Sequence, residues 1–492
     1  MNSKLRRAAV LGILTLCFAS IVGCGSSSGS SDKSTKTAAS VTVNSDGTTT
    51  RVAVSADALT TFESAMKAAQ TNPAQAIDLF KKAAGQEDNF AEAWYNVGIL
   101  EEQRGNTSDA KNAYEKAIKM RSDMASAYTG LAHIQIIEGN LDEAEKTLNK
   151  VIDDKSGLEP YNVEANLNMG MIYRHRGEKV LEKHSGGVEK KFTMSGSETK
   201  GEIKDKEAYD LFAKAVVYIR RALAGDSNNI YCYENLSAIY YLMNSLEVAR
   251  LVSTQAKLKY DEYNTALKEK LDAGRITQAE YDIKVYQPKD LAAIYNTSGL
   301  IYLAEGEVSL GNAEFKQAVE LDPNSVSAML NVAGIAVNVQ DYQLAFDLYE
   351  RVLKLEPNNI EAYLSKGVAL RGLNRLDEAE AIYKDIIKNH PEYPQAQFNY
   401  NVLVQEYYQK VDEARALWVE FTNNPKANEL IPGRVDEAKL RIQQIDETKA
   451  AIAKAEAEAE KMQKQMEEME RMQREAEEAE KAAEAAEGTS AE

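Results

Sequence analysis

The sequence predicts an all-α fold made by stacking helix–turn–helix units. Three observations carry this. Val326 to Tyr393 holds two consecutive 34-residue segments that repeat position by position: Met329, Val332, Ala333, Ala345, Tyr349, Val352 and Pro357 recur as Tyr363, Lys366, Gly367, Ala379, Tyr383, Ile386 and Pro391. The same spacing of small and aromatic residues extends from about Asp57 to Lys426. Only nine prolines occur in 492 residues, and Ala, Glu, Lys and Leu are abundant, which favours helix.

Each repeated position has a physical reason. A small residue at the eighth place (Ala333, Gly367) lets two helices approach closely. A second at the twentieth (Ala345, Ala379) does the same from the partner helix. An aromatic four residues on fills the gap, and Pro at the thirty-second place stops the helix. This spacing resembles the tetratricopeptide repeat (TPR), whose helical hairpins stack into a right-handed superhelix. About nine such repeats are expected over residues 57–428.

The amino terminus reads as a targeting segment. Lys4, Arg6 and Arg7 precede an apolar run from Ala8 to Val22, short for a membrane span. Ile21-Val22-Gly23-Cys24 resembles the lipobox of bacterial lipoproteins. That resemblance implies a signal peptide over 1–23 and a lipid on Cys24, whose acyl chains would hold the protein on a membrane. Residues 24–56 form the expected tether, rich in Ser, Gly, Lys and Thr from Gly25 to Ser40. Val41 to Val54 alternates apolar and polar residues around Ser45-Asp46-Gly47, the pattern of a small hairpin. No other apolar run is long enough to span a bilayer.

The repeats then follow in order. The first keeps its back-helix spacing in Ala76, Phe80 and Ala83. The second has Trp94, Val97, Gly98, Gly105, Ala110 and Tyr114, and the third lies 34 residues on with Tyr128, Leu131, Ala132 and Gly139. The fourth, from Val163, is interrupted by an insertion over 178–205 and resumes at about Lys206–Ala224. The fifth starts near Ile230, and a second insertion over 262–290 prolongs its back helix. Ala273-Gly274 should end that helix, and Thr277 with Glu280 should cap a return helix. The sixth starts near Ala292, the seventh and eighth are the opening pair, and the ninth, from Pro394, slips by one residue in its turn.

Residues 429–492 read as a long charged helix with a disordered end. Ile445, Ile452, Ala459, Met462, Met466 and Met469 fall at spacings compatible with a short coiled-coil seam for weak self-association or partner coiling. Residues 451–492 hold 13 Glu, four Lys and two Arg, net −7.

Chemistry is sparse. There is no phosphate-binding Gly-rich loop, no Gly-x-Ser-x-Gly and no His-Glu-x-x-His, so no enzyme, cofactor or metal is expected. His133, His175, His184 and His390 lack ligand spacing, and Cys232, at the start of an apolar helix, is expected to be buried and inert. The net charge of −18 argues against a nucleic-acid partner.

The TPR resemblance implies a concave groove lined by the front helices. Its sixth place holds Asn96, Asn168, Asn235, Asn331 and Asn399, amides able to bond both groups of an extended peptide backbone. Tyr95, Tyr231 and Phe398, with Ile99, Tyr241, Leu330 and Leu364, are expected to line the same groove for apolar side chains. The second place carries Glu92, Glu164, Tyr231, Ser327 and Glu361, so the basic clamp for a terminal carboxylate is missing. The expected function is a non-catalytic protein-binding scaffold at the bacterial cell envelope. Gly25 after Cys24, by resemblance to Gram-negative lipoproteins, favours the outer membrane facing the periplasm. The layout is most similar to TPR lipoproteins of adventurous gliding motility, or to pilotin-type ones. An adaptor recruiting peptidoglycan- or polysaccharide-processing enzymes is the alternative.

Overall fold

The computed structural model describes residues 37–43, 49–69, 71–155, 157–184 and 205–488. The expected leader, Cys24, the start of the tether and the Ser-Gly segments of the first insertion lie outside the described residues. The chain divides into two compact units, Met1–Val332 and Ala333–Glu492.

The first unit opens with an antiparallel hairpin, β1 (Thr37–Val43) and β2 (Thr49–Ser55), in the register Val41 opposite Arg51. It begins earlier than the alternation at Val41 suggests. Val54 docks the hairpin's end onto the helices by packing with Ala58, Ala83, Phe90 and Ala93. Paired helices follow: α1 (Ala56–Ala69) with α2 (Pro73–Gln86), α3 (Ala91–Gln103) with α4 (Thr107–Met120), and α5 (Ala125–Ile137) with α6 (Leu141–Ile152). Then come α7 (Val163–His184) with α8 (Lys206–Gly225), and α9 (Ile230–Leu242) with the long α10 (Leu246–Asp272). The short α11 (Gln278–Lys284) precedes α12 (Pro288–Ala304) and α13 (Val308–Leu321).

The hairpins close at one recurring contact. A Cβ added at Gly98 would lie 2.5 Å from the Tyr114 ring, and one at Gly299 would lie 2.5 Å from Phe315. In the second unit, a Cβ at Gly367 would lie 2.7 Å from Tyr383. In all three the ring stands 16 residues after the glycine. The pair Ala132 and Leu148 occupies the same two places, and both are buried in one cluster. A fully buried aromatic contributes about 1.5–3 kcal/mol, so this contact is a main source of stability in those three hairpins.

The turns obey the same period. Gly105, Gly139 and Gly306 have φ of +81°, +82° and +87°. Gln340 and Asn374 take up the series at φ 63° and 60°. This left-handed position lets the helix reverse within three residues.

In the second insertion α10 ends at Asp272 with Gly274 at φ 66°, and Thr277 and Glu280 form a reciprocal capping box. Tyr286 then returns to the core. It packs on Tyr231, Tyr260 and Tyr263, and its backbone N–H donates to Asn264 Oδ1 at 3.0 Å. The following repeat starts at Pro288, four residues before the expected Ala292, through a capping box between Gln287 and Asp290.

The second unit begins inside α14 (Val326–Asn338). It continues with α15 (Tyr342–Leu355), α16 (Ile360–Gly372), α17 (Leu376–Asn389) and α18 (Pro394–Val402). The slip in the last repeat is absorbed as a π turn, Leu403–Tyr407, before α19 (Val411–Thr422). After α20 (Pro425–Leu430), α21 runs from Pro432 to Gly488. Its first turns belong to the repeat core: Val435, Ala438 and Ile445, with Ile431 just before the helix, are buried with Trp418 and Phe421. Ile445, read from spacing as the first residue of a coiled-coil seam, is therefore already occupied. Arg415 clamps the same turn through Asp446 at 2.5 and 2.7 Å. From Ala450 to Ala479 every residue of α21 is exposed.

The close contacts give a direct test. Gly367→Leu should destabilise the second unit by about 1–3 kcal/mol through overpacking against Tyr383. Gly334→Ala, where an added Cβ meets nothing within 4 Å, should be neutral or stabilising by about 0.5–1 kcal/mol. Denaturant unfolding measures both; equal effects of the two substitutions would refute the register.

Candidate functional site

In the first unit successive front helices touch one another: α3 meets α5, α5 meets α7 and α7 meets α9. They therefore form the inner layer, with the back helices outside. The twelfth residue of one front helix, the ninth of the next and the second of the one after fall side by side on this layer.

Those places carry Glu102, His133 and Glu164. Glu102 Oε1 lies 2.7 Å from His133 Nδ1, and Oε2 accepts a hydrogen bond from Tyr114 O–H at 2.7 Å. His133 is only 3% exposed, so its ring is a fixed part of the inner layer. Burial pushes the Glu164 carboxyl up to about 7; nearby His133 opposes this, and Glu102 and Glu159 add to it. Burial, then Glu102, likewise pushes the Tyr114 phenol well up. Tyr95 is pushed up by burial and then by Glu164 and Glu102.

Further along the layer, Arg174 of α7 donates to Asn235 Oδ1 of α9 at 2.9 Å and to Glu178 at 3.0 Å. The second unit repeats the device, with Arg371 of α16 donating to Asn399 of α18 at 3.4 Å. In both cases an Arg at the twelfth place holds the Asn at the sixth place of the next repeat.

This changes the role of several expected groove residues. Asn235 and Asn399 donate to their own helix, at Tyr231 O and Gln395 O, 2.9 Å in each case, and accept from an Arg. Asn331 donates to Asn296 Oδ1 at 2.8 Å. These three amides tie repeats together. Asn96, half-buried, donates to Glu92 O at 2.8 Å, which leaves its Oδ1 oxygen outside that bond. Asn168 is buried on α7. Phe398 is a core residue: it packs edge-on against Trp418 and Phe421 at 5.2 and 5.7 Å. Tyr231 is covered by Tyr286 of the second insertion at 5.9 Å. Tyr95 packs beside Tyr114 at 5.8 Å. Cys232 is fully buried, and burial raises its thiol far above the ordinary value, so it is inert at neutral pH.

Reading the sequence by repeat place alone missed the Glu102–His133 contact. The signal was present: twelfth and ninth places of consecutive repeats are neighbours, and one held a carboxylate, the other an imidazole. Among the described residues no three His, Cys, Asp or Glu side chains gather as metal ligands, and no helix is long and apolar enough to cross a membrane.

Residues 102–167 and 336–397 match one tetratricopeptide-repeat family, and residues 296–360 match a second. Within those ranges the helical hairpins match the tetratricopeptide repeat. The chain is 28% identical over 136 residues to an uncharacterized protein, ycf37, of Pyropia yezoensis, over 25% of this chain and 76% of that protein. Among solved structures, PilF of Pseudomonas aeruginosa is 16% identical, with a TM-score of 0.38, over 55% of this chain and 94% of PilF. PilW, described as a widely conserved type IV pilus biogenesis factor, is 15% identical, with a TM-score of 0.38, over 56% of this chain and 98% of PilW.

The TPR inner layer should titrate. A carboxyl whose folded value lies above its ordinary 4.5 stabilises the fold fully only below about 4.5, and that contribution is lost as pH rises through about 7. Glu164→Gln does not titrate, so its stability relative to the natural chain should rise between pH 4.5 and 8, by on the order of 1 kcal/mol. Chemical unfolding across that range reads the difference; a pH-independent offset would contradict the desolvated surroundings of this half-buried carboxyl.

Proposed function

We propose that this chain is a non-catalytic protein-binding scaffold, lipid-anchored through Cys24 at the bacterial cell envelope. It would hold a partner of an envelope machine, of gliding, pilus or secretion type, on the inner face of its front helices. The observation that carries this reading is the row of polar side chains at successive inner places, Glu102, His133 and Glu164, with Asn96 and Asn168 on the same helices. A fixed, partly desolvated polar row suits the main chain of an extended segment, because each bond made there replaces water at low ordering cost. The tether and the lipobox-like Ile21-Val22-Gly23-Cys24 supply the anchor. Outer-membrane placement, facing the periplasm, follows from Gly25 after that cysteine.

Asn331 and Asn399 are poor probes of this reading, since their amides bond Asn296 and Arg371. Asn96 and Asn168 are better ones. A partner crosslinked from envelope fractions would be titrated against the natural chain and the Asn96→Ala, Asn168→Ala variant, in parallel with fractionation of Cys24→Ala. Affinity should fall roughly tenfold at unchanged helical content, at about 0.5–1.5 kcal/mol per bond lost. Cys24→Ala should leave the membrane fraction or keep its leader. Unchanged affinity would remove the inner face as the binding surface, and acyl attachment surviving in Cys24→Ala would remove the anchor.

A further inference from the structure

The exposed part of α21 is a 30-residue stretch of helix without tertiary cover, from Ala450 to Ala479. Met462, Met466, Met469 and Met472 form a stripe along it, each more than half exposed, with Ile452 in line before them. On a seven-residue period Ile452, Ala459 and Met466 take one seam position, and Ala455, Met462 and Met469 the other. Four exposed methionines on one face are a soft apolar surface able to fit a range of side chains.

The charges around the stripe are sorted. The positions flanking the seam hold Glu456, Glu458, Glu470 and Glu477, together with Gln463 and Gln465, and no cation. The helix's own cations lie away from those flanks: Lys454, Lys461, Lys464, Arg471 and Arg474. Three of them hold glutamates on their own helix, Lys464 with Glu460, Arg471 with Glu475 and Arg474 with Glu470. Pairing with a second copy, in parallel and in register, would set Ala451 against Glu456, Glu458 against Gln463, Gln465 against Glu470, and Met472 against Glu477. None of these is an ion pair, so a second copy gains nothing from the flanks and brings its own net negative charge alongside. A helix with Lys or Arg at its flanks would turn Glu456, Glu458, Glu470 and Glu477 into interhelical ion pairs around the methionine seam.

We infer that residues 452–477 are a docking helix for an amphipathic, basic-flanked helix of another protein. This surface lies outside the inner face of the repeats, so the two readings stand or fall separately.

The test uses the full chain and a synthetic 28-residue peptide with Leu at both seam positions and Lys at both flanks. Two controls keep one feature each: the Leu seam with Glu flanks, and the Lys flanks with a Ser seam. Fluorescence anisotropy should show the Leu/Lys peptide binding at least tenfold more tightly than either control. Met466→Glu with Met469→Glu adds negative charge but removes the seam, and Glu preserves the helix. This variant should lose at least tenfold in affinity at unchanged circular dichroism. Binding that is equal or tighter in the variant would reduce the surface to charge attraction and overturn the inference. So would equal binding of the Glu-flanked peptide, or a dimer of the natural chain in sedimentation at pH 7 that the double substitution dissolves.

Discussion

A back-helix side chain closing on a front-helix residue with little or no side chain, a ring on glycine in three of the hairpins, is the contact on which the rest of this protein depends. Tyr114 on Gly98, Phe315 on Gly299 and Tyr383 on Gly367 bring two helices to a distance that any larger pair would prevent. Because the two partners are 16 residues apart, the turn between the helices must be short, and a left-handed residue there makes it so. Tyr114 shows how far one contact reaches. Its ring also lies where a Cβ on Gly130 of the next front helix would come within 2.6 Å, and its hydroxyl holds Glu102. The same side chain thus closes a hairpin, seats the next one and positions the carboxylate that meets His133.

From that constraint the inner layer follows. Front helices held this close present their twelfth, ninth and second places in a row. Polar residues at those places are partly removed from water and must find partners among themselves. Glu102 with His133 is one solution of that problem, and Arg174 with Asn235, from a twelfth place to the sixth place of the next repeat, is another. The row is therefore polar and held in place by bonds among its own side chains.

Much of the fold was legible in the sequence because a repeat states each of its rules several times. The helix pairs, the small-residue places, the end of α10 at Ala273-Gly274 and the Thr277–Glu280 cap each follow from local residues. The candidate site was less legible, for three physical reasons. An Asn at the sixth place faces the groove, yet in a helix it can bond the carbonyl four residues back, and an Arg of the preceding repeat can take its oxygen. An aromatic near that place can turn into the core, as Phe398 does against Trp418. An insertion has no period, so nothing in spacing revealed that Tyr286 would return to cover Tyr231. Ile445 illustrates a related ambiguity. Its place in a seven-residue pattern suits a seam equally well whether the partner is another helix or, as here, the last hairpin of its own chain.

The central claim, that ring against small residue sets the helix approach, is tested most directly by a double-mutant cycle on Gly299 and Phe315. Gly299→Ala with Phe315→Leu recreates the pair that the third repeat uses at Ala132 and Leu148. Equilibrium unfolding should show each single substitution destabilising, Gly299→Ala by about 1–3 kcal/mol. The double variant should recover at least about 1 kcal/mol of the sum, because the smaller wedge makes room for the new methyl group. Additive losses, within about 0.5 kcal/mol, would mean that the two positions do not share one contact and that the helix approach is set elsewhere.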